Sequence, residues 1–240
     1  IYHYPNNCEI KERRSTMKNI SMITLLCMGT SLFAQNLQLH YEFDEERRYF
    51  IGTLEMFKPD DHGSTFWFVD IEYNDGVEEQ SASLVYWELT RMFNIPGVKG
   101  LTAGLQYNDG LDTFGGFGNV WLAGVEYPID LKFITLVTSV WYRHAESQDP
   151  NLQATVVWFK PLLGDRFIFT GFLDIWGQNN FDSDAQGSDA QWVILAEPQL
   201  WYKIFHSISV GGEIKISKNF IYSSGDDLKI YPTLGVKWEF

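Results

Sequence analysis

The chain has 240 residues, 45% of them apolar and 16% aromatic, with two cysteines and a formal net charge of −13. So acidic a surface repels a polyanion, which excludes nucleic acid as a partner. No run of about eighteen apolar residues is present to cross a membrane as a helix.

Met17-Lys18-Asn19, the apolar run 20–29 and the stretch Thr30-Ser31-Leu32-Phe33-Ala34 read as a charged start, a short greasy core and a small residue before a cut. That pattern predicts a secretory signal peptide over 17–34. Residues 1–16 precede the start and are expected to be upstream translation, not structure. Lipid attachment at Cys27 is disfavoured, because bulky Leu26 stands where a small residue belongs. Cleavage after Ala34 removes Cys8 and Cys27 with four of the 18 basic and two of the 31 acidic residues, leaving 14 and 29 and a net charge of −15. The expected domain, 35–240, therefore has no disulfide, although it enters an oxidising compartment.

From residue 36 onward the side chains alternate between apolar and polar, the period of an extended strand with one greasy and one wet face. Strands are predicted near 36–43, 48–57, 64–74, 82–92, 98–108, 119–127, 132–143, 151–159, 166–176, 190–202, 206–217 and 228–240. The breaks carry turn chemistry, as in Lys58-Pro59-Asp60-Asp61-His62-Gly63, Asn74-Asp75-Gly76, Asn94-Ile95-Pro96-Gly97 and Ser224-Gly225-Asp226-Asp227. Short breaks between neighbouring strands favour an antiparallel meander. The longer Gly/Asp/Asn-rich connections, such as 109–118 and 177–189, fall mostly on one side. Long loops at one end and short turns at the other is the pattern of an outer-membrane barrel.

The fold class predicted is all-β, a single twelve-stranded antiparallel up-and-down transmembrane β-barrel. Alternation alone leaves a soluble barrel open, with Trp67, Val69, Ile71 and Tyr73 filling its core. Twelve strands enclose a lumen wider than side chains fill in the eight-stranded case, which favours the membrane. Aromatic residues near strand ends, including Tyr41, Tyr73, Trp121, Trp158, Trp192, Trp201 and Trp238, suit interfacial girdles in contact with outer-membrane lipid. The last strand alternates to an aromatic end at Phe240. It resembles the terminal strand that the barrel-assembly machinery reads, and it places the chain in the outer membrane of a Gram-negative bacterium.

With the apolar face outward, the other face lines the lumen. The expected solute path comprises Glu42, Glu55, Phe68, Asp70, Glu72, Tyr86, Glu88, Gln106, Glu126, Arg143, Phe172, Asp174, Trp176, Glu197, Glu213, Lys215, Tyr231 and Lys237. Charges at membrane depth must pair or line water. They therefore form either a network that stiffens and plugs the barrel or an acidic, aromatic-lined passage for small polar or cationic solutes.

The segments Leu37–Phe43, Gly52–Pro59, Ser64–Tyr73, Glu197–Tyr202 and Gly212–Phe220, with the turn and aromatic strand Lys160–Trp176, resemble an uncharacterised family of outer-membrane proteins related to Tsx, the nucleoside-specific channel. The resemblance implies a monomeric twelve-stranded channel with a narrow lumen that passes nucleosides without energy input. It requires no cofactor. Chemically, a base would stack on Phe68, Tyr86, Phe172, Trp176 and Tyr231 while ribose hydroxyls donate to Asp70, Glu72, Glu88 and Asp174.

Two other classes compete. An outer-membrane phospholipase needs a Ser and a His on one outward face with an Asn orienting the His. Here His206 and Ser207 are adjacent and so oppose each other, His144 and Ser147 lie in a loop, and His40 has no hydroxyl two residues away. A non-conducting barrel serving as adhesin, receptor or structural protein is the second alternative, although the outer loops are short for an adhesin. No metal is expected, because Asp182, Asp184 and Asp189 lack a calcium-loop spacing.

Overall fold

The computed structural model describes residues 35–45, 47–73, 81–179, 190–221 and 227–240. The signal-peptide expectation and the turn at 74–76 lie outside them. The strands, in chain order, are β1 (Asn36–Glu42), β2 (Phe50–Asp60), β3 (Gly63–Tyr73), β4 (Leu84–Asn94), β5 (Thr102–Asp112), β6 (Gly115–Gly116), β7 (Val120–Asp130), β8 (Thr135–Ala145), β9 (Asn151–Leu162), β10 (Phe167–Asn179), β11 (Ala190–Ala196), β12 (Gln199–Lys203), β13 (Ile208–Lys218) and β14 (Lys229–Glu239). Two-residue β6 only extends the β5 hairpin, and β11 and β12 are halves of one stave, so twelve staves make the ring. Each pairs antiparallel with its chain neighbour, and β14 pairs with β1 from Asn36↔Glu239 to Glu42↔Thr233, which closes the barrel. Closure leaves no unpaired edge, as a hydrocarbon environment demands.

The predicted strand 190–202 is interrupted at Glu197-Pro198, where proline has no N–H to give a ladder. Register with β10 is unchanged across the gap, since Leu173 faces Ala196 and Thr170 faces Gln199. The strand predicted at 98–108 starts four residues later, at Thr102. Gly97 and Gly100 both adopt φ of 85°, so the turn continues past Pro96-Gly97 and closes with Ile95 N–H donating to Leu101 O at 3.0 Å. The strand predicted from 132 begins at Thr135, because Lys132 (φ 70°) turns the chain and Leu131 N–H donates to Ile134 O. Lys58-Pro59-Asp60 continues β2, leaving only Asp61-His62 as a turn.

Burial alternates along β1 and β14 and decides the question that periodicity left open. In β1, Asn36, Gln38, His40 and Glu42 are buried while Leu37 and Leu39 are exposed. In β14, Tyr231 and Lys237 are buried while Ile230, Leu234, Val236 and Trp238 are exposed. The polar face therefore lines the lumen and the apolar face forms the outside. That rules out the soluble arrangement with a greasy core and suits a surround of hydrocarbon.

Candidate functional site

The lumen is divided between two walls. One wall, from β12 through β13, β14 and β1 to β3, is polar and ionic. At its loop end the connection between β1 and β2 turns inward and delivers Arg47, whose Nε donates to Glu42 Oε1 at 2.7 Å and whose Nη2 donates to Glu72 Oε1 at 2.8 Å. The guanidinium also lies 5.0 Å from the Tyr49 ring centroid and 5.4 Å from that of Tyr231. One side chain thus ties β14, β1 and β3 together. Burial works against the charge on Arg47, but Glu72 and Glu42 outweigh it and hold the guanidinium above its usual range. Burial, reinforced by Glu72, pushes the Tyr49 phenol well above its usual range, so it remains an O–H donor to Glu72 Oε2 at 2.8 Å.

Below the clamp runs a relay of neutral groups. His40 Nδ1 lies 2.9 Å from Thr233 Oγ1 and its Nε2 lies 3.0 Å from Gln38 Oε1. Gln38 donates to Asn36 Oδ1 at 2.9 Å, and Asn36 donates to Glu55 Oε1 at 3.0 Å. His40 thus has a hydroxyl beside it across the sheet, which the i, i+2 test for a lipase could not see. That hydroxyl is engaged by Glu213, accepting from its N–H at 3.1 Å, and the pair is buried inside the barrel, away from lipid.

At mid-height, carboxylates converge from opposing staves. Asp70 on β3 accepts from Thr53 Oγ1 at 2.5 Å, and it is within electrostatic range of Lys215 on β13 and Glu197 across the lumen. Glu88 on β4 accepts from the Tyr86 hydroxyl at 2.6 Å, Gln106 at 2.9 Å and Asn108 at 3.0 Å, and it feels Asp174 on β10. Thr155 donates to Asp174. Lys215 Nζ pairs with Glu197 Oε1 at 3.2 Å, and Arg143 is within electrostatic range of Glu88 and Asp174, while Asp70, Glu88 and Asp174 accept their hydrogen bonds from neutral donors. Phe68 and Tyr86 line this zone, ring centroids 6.0 Å apart. Asp70, Glu88, Phe172 and Asp174 are half-buried, in contrast to the sealed side chains of β1 and β14.

The second wall, β4 to β8, carries Glu88, Gln106, Asn108 and Arg143 and, beside them, a patch of apolar side chains. Met92, Leu122 and Trp141 form one buried cluster on the lumen face. The register explains it: Met92 faces Gly104, Gly104 faces Gly124, and Gly124 faces Trp141. Two adjacent glycines make a floor on which the larger residues lie. A Cβ at Gly104 would stand 2.5 Å from Met92 Sδ and 2.1 Å from Arg91 O, and one at Gly124 would stand 2.6 Å from Trp141 Cε3.

Every residue of the expected solute path lies on the lumen-facing parity of its stave. The path omitted Arg47 and Tyr49, which precede β2, and the cluster of Met92, Leu122 and Trp141. Trp201, expected in an outer girdle, is wholly buried inside. Its Nε1 donates to Gln199 Oε1 at 2.9 Å, and its ring lies 4.5 Å from Lys237 Nζ and edge-on to His40. Glu126 meets Thr102 on β5, and Arg143 lies 5.3 Å from the Trp176 ring centroid.

These features define a class: a closed twelve-stranded antiparallel barrel, greasy outside, with a polar and charged lumen face. The chain belongs to the family described as a domain of unknown function, DUF5020, whose model matches residues 34–240. No curated protein matches it. Among solved structures it is similar to the NanC porin, with a TM-score of 0.56 and 11% identity, covering 86% of this chain and 100% of that one. It also matches the KdgM porin in complex with disordered oligogalacturonate (TM-score 0.47, 8% identity, 85% and 99% covered). A further match is the translocator domain of the autotransporter NalP from Neisseria meningitidis (TM-score 0.44, 10% identity, 95% and 98% covered). At 11% identity the likeness to NanC is one of fold.

Proposed function

We propose that the protein is a monomeric channel of the Gram-negative outer membrane that passes small polar solutes, nucleosides among them, by passive diffusion through its lumen. The observation that carries this reading is the half-buried zone where Asp70, Glu88 and Asp174 face one another beside Phe68, Tyr86 and Phe172. Flat bases stack on aromatic rings for about 1–3 kcal/mol each, and ribose hydroxyls donate to carboxylates. Sites of that strength release their solute fast enough for conduction. A fold shared with a protein described as a porin agrees with this, and so does the resemblance to the Tsx-related family.

The wholly buried Glu42, Tyr231 and Trp201 favour a second reading, a barrel closed by its own side chains that serves as a structural or receptor protein. Single-channel conductance of the protein in a planar bilayer, with and without adenosine or thymidine, separates the two. Current blocked by nucleoside supports the channel and its solute, unblocked current keeps the channel alone, and a folded barrel without current supports the second reading. In a conducting barrel, Asp70→Asn with Glu72→Gln should lower cation preference. An unchanged reversal potential under a salt gradient would remove both acids from the path.

A further inference from the structure

The end of the barrel that carries residues 35 and 240 and the shorter turns presents a surface unrelated to the lumen. Four of its five turns hold an exposed apolar side chain: Val98 (48% exposed) in 95–101, Phe133 (70%) in 131–134, Leu163 (79%) in 163–166 and Phe205 (69%) in 204–207. Each stands within three positions of a cation, respectively Lys99, Lys132, Arg166 and Lys203. The remaining turn, Asp61-His62, lacks such a tip. The turn at 95–101 also frames a groove of about 400 Å³ lined by Ile95, Val98, Lys99 and Leu101.

The opposite end has the reverse character. The described residues of its connections hold Asp44, Glu45, Glu146, Asp149 and Asp227 against Arg47 and Arg48. In a chain so acidic, cations at four turns of one rim make a charge asymmetry along the barrel axis. Acids in the rim offset part of it: Asp60 is engaged by Arg91 at 2.5 Å, Lys203 lies 4.0 Å from Glu239, and Asp130 and Asp165 stand beside Lys132 and Arg166, so this rim is mixed in sign where the opposite end is acidic.

We propose that this rim binds anionic phospholipid headgroups of the leaflet that it meets. Its apolar tips continue the greasy outer face formed at this end by Phe93 and Tyr202, so they enter the boundary between acyl chains and headgroups, where neighbouring Lys and Arg meet phosphates. Anionic lipid is the occupant favoured by charge. The groove under Val98 and Lys99 gives one such headgroup a place to sit.

The test is the motionally restricted fraction of spin-labelled phosphatidylglycerol, against phosphatidylcholine, in vesicles holding the folded protein. Association of phosphatidylglycerol should be at least about twofold greater. It should fall to parity at about 1 M salt, where the Debye length is about 3 Å. Parity is also expected in K99E/K132E/R166E/K203E, whereas Glu146→Lys with Asp149→Lys at the other end should leave the preference intact. Equal association in the wild type, or a preference unchanged in the fourfold variant, overturns the proposal. Should that variant fail to insert, a wild-type preference that persists at high salt overturns it instead. Neither result depends on whether the barrel conducts.

Discussion

The two walls of the lumen solve the same problem, filling the inside of a barrel, with opposite chemistry. The wall from β12 to β3 fills space with charges that must be matched one by one: Arg47 to Glu42 and Glu72, Lys215 to Glu197. The wall from β4 to β8 fills it with Met92, Leu122 and Trp141 on a floor of Gly104 and Gly124. Apolar packing is non-directional and tolerates a shift, while a buried ion network loses its compensation when one member goes. If solutes move through this barrel, the wall that can open is the ionic one, because its contacts can be exchanged for water and solute hydroxyls.

Removing Arg47 is the largest expected perturbation of that contrast. Arg47→Ala leaves the fully buried Glu42 without its partner, a change that costs about 3–5 kcal/mol, read as a lower midpoint of urea unfolding. It should also raise single-channel conductance, because the inward-turned connection loses its anchors on β1, β3 and β14. Arg47→Lys should rescue little, since a single ammonium does not reproduce the fork that spans two carboxylates. A stability loss with unchanged conductance would make the clamp structural only. An unchanged midpoint would mean that the ionic wall holds without it.

Much of this arrangement was legible from alternation, and the exceptions have identifiable causes. Positions two apart share a face, so Asp70 with Glu72, and Glu197 with Gln199, could be placed in one lumen before any fold was known. The same parity contained Trp201, yet an aromatic near a strand end suits either an interfacial belt or a lumen, and only its contacts with Gln199 and Lys237 decide. Arg47 carried no periodic signal, because a connection has no fixed parity and its side chain returns to the barrel through a turn. Met92, Leu122 and Trp141 break the polar-inside rule. The trace they leave in the sequence is Gly104 and Gly124, small residues on lumen parity whose register partners are large.

The apolar wall is tested by filling its floor. Gly124→Ala brings a Cβ to 2.3 Å from Val140 O and 2.6 Å from Trp141 Cε3. The carbonyl oxygen belongs to the neighbouring stave and cannot retreat without moving the ladder. Overpacking of this kind costs about 1–3 kcal/mol, and the midpoint of urea unfolding should fall accordingly. Conductance should stay unchanged, because the cluster of Met92, Leu122 and Trp141 that this substitution crowds carries no charge. A conductance change would place the solute path against Trp141 and reverse the assignment of roles to the two walls.

Trp201→Phe is the mildest of the three changes and tests whether the ionic wall acts as one unit. It keeps a ring in place but deletes the Nε1 bond to Gln199 Oε1 and weakens the contact with Lys237. A lone hydrogen bond contributes about 0.5–1.5 kcal/mol, so a loss in that range marks Trp201 as a local filler. Gln199 also donates to Glu213, and Lys215 connects Glu213 electrostatically to Glu197, so a released Gln199 can disturb the ion pair beyond it. In a double-mutant cycle with Arg47→Ala, additive losses would keep the clamp and the Trp201 cluster independent. Coupling beyond about 0.5 kcal/mol would join them into a single network running from the loop end to Lys237, and opening at the mouth would then be felt along the whole wall.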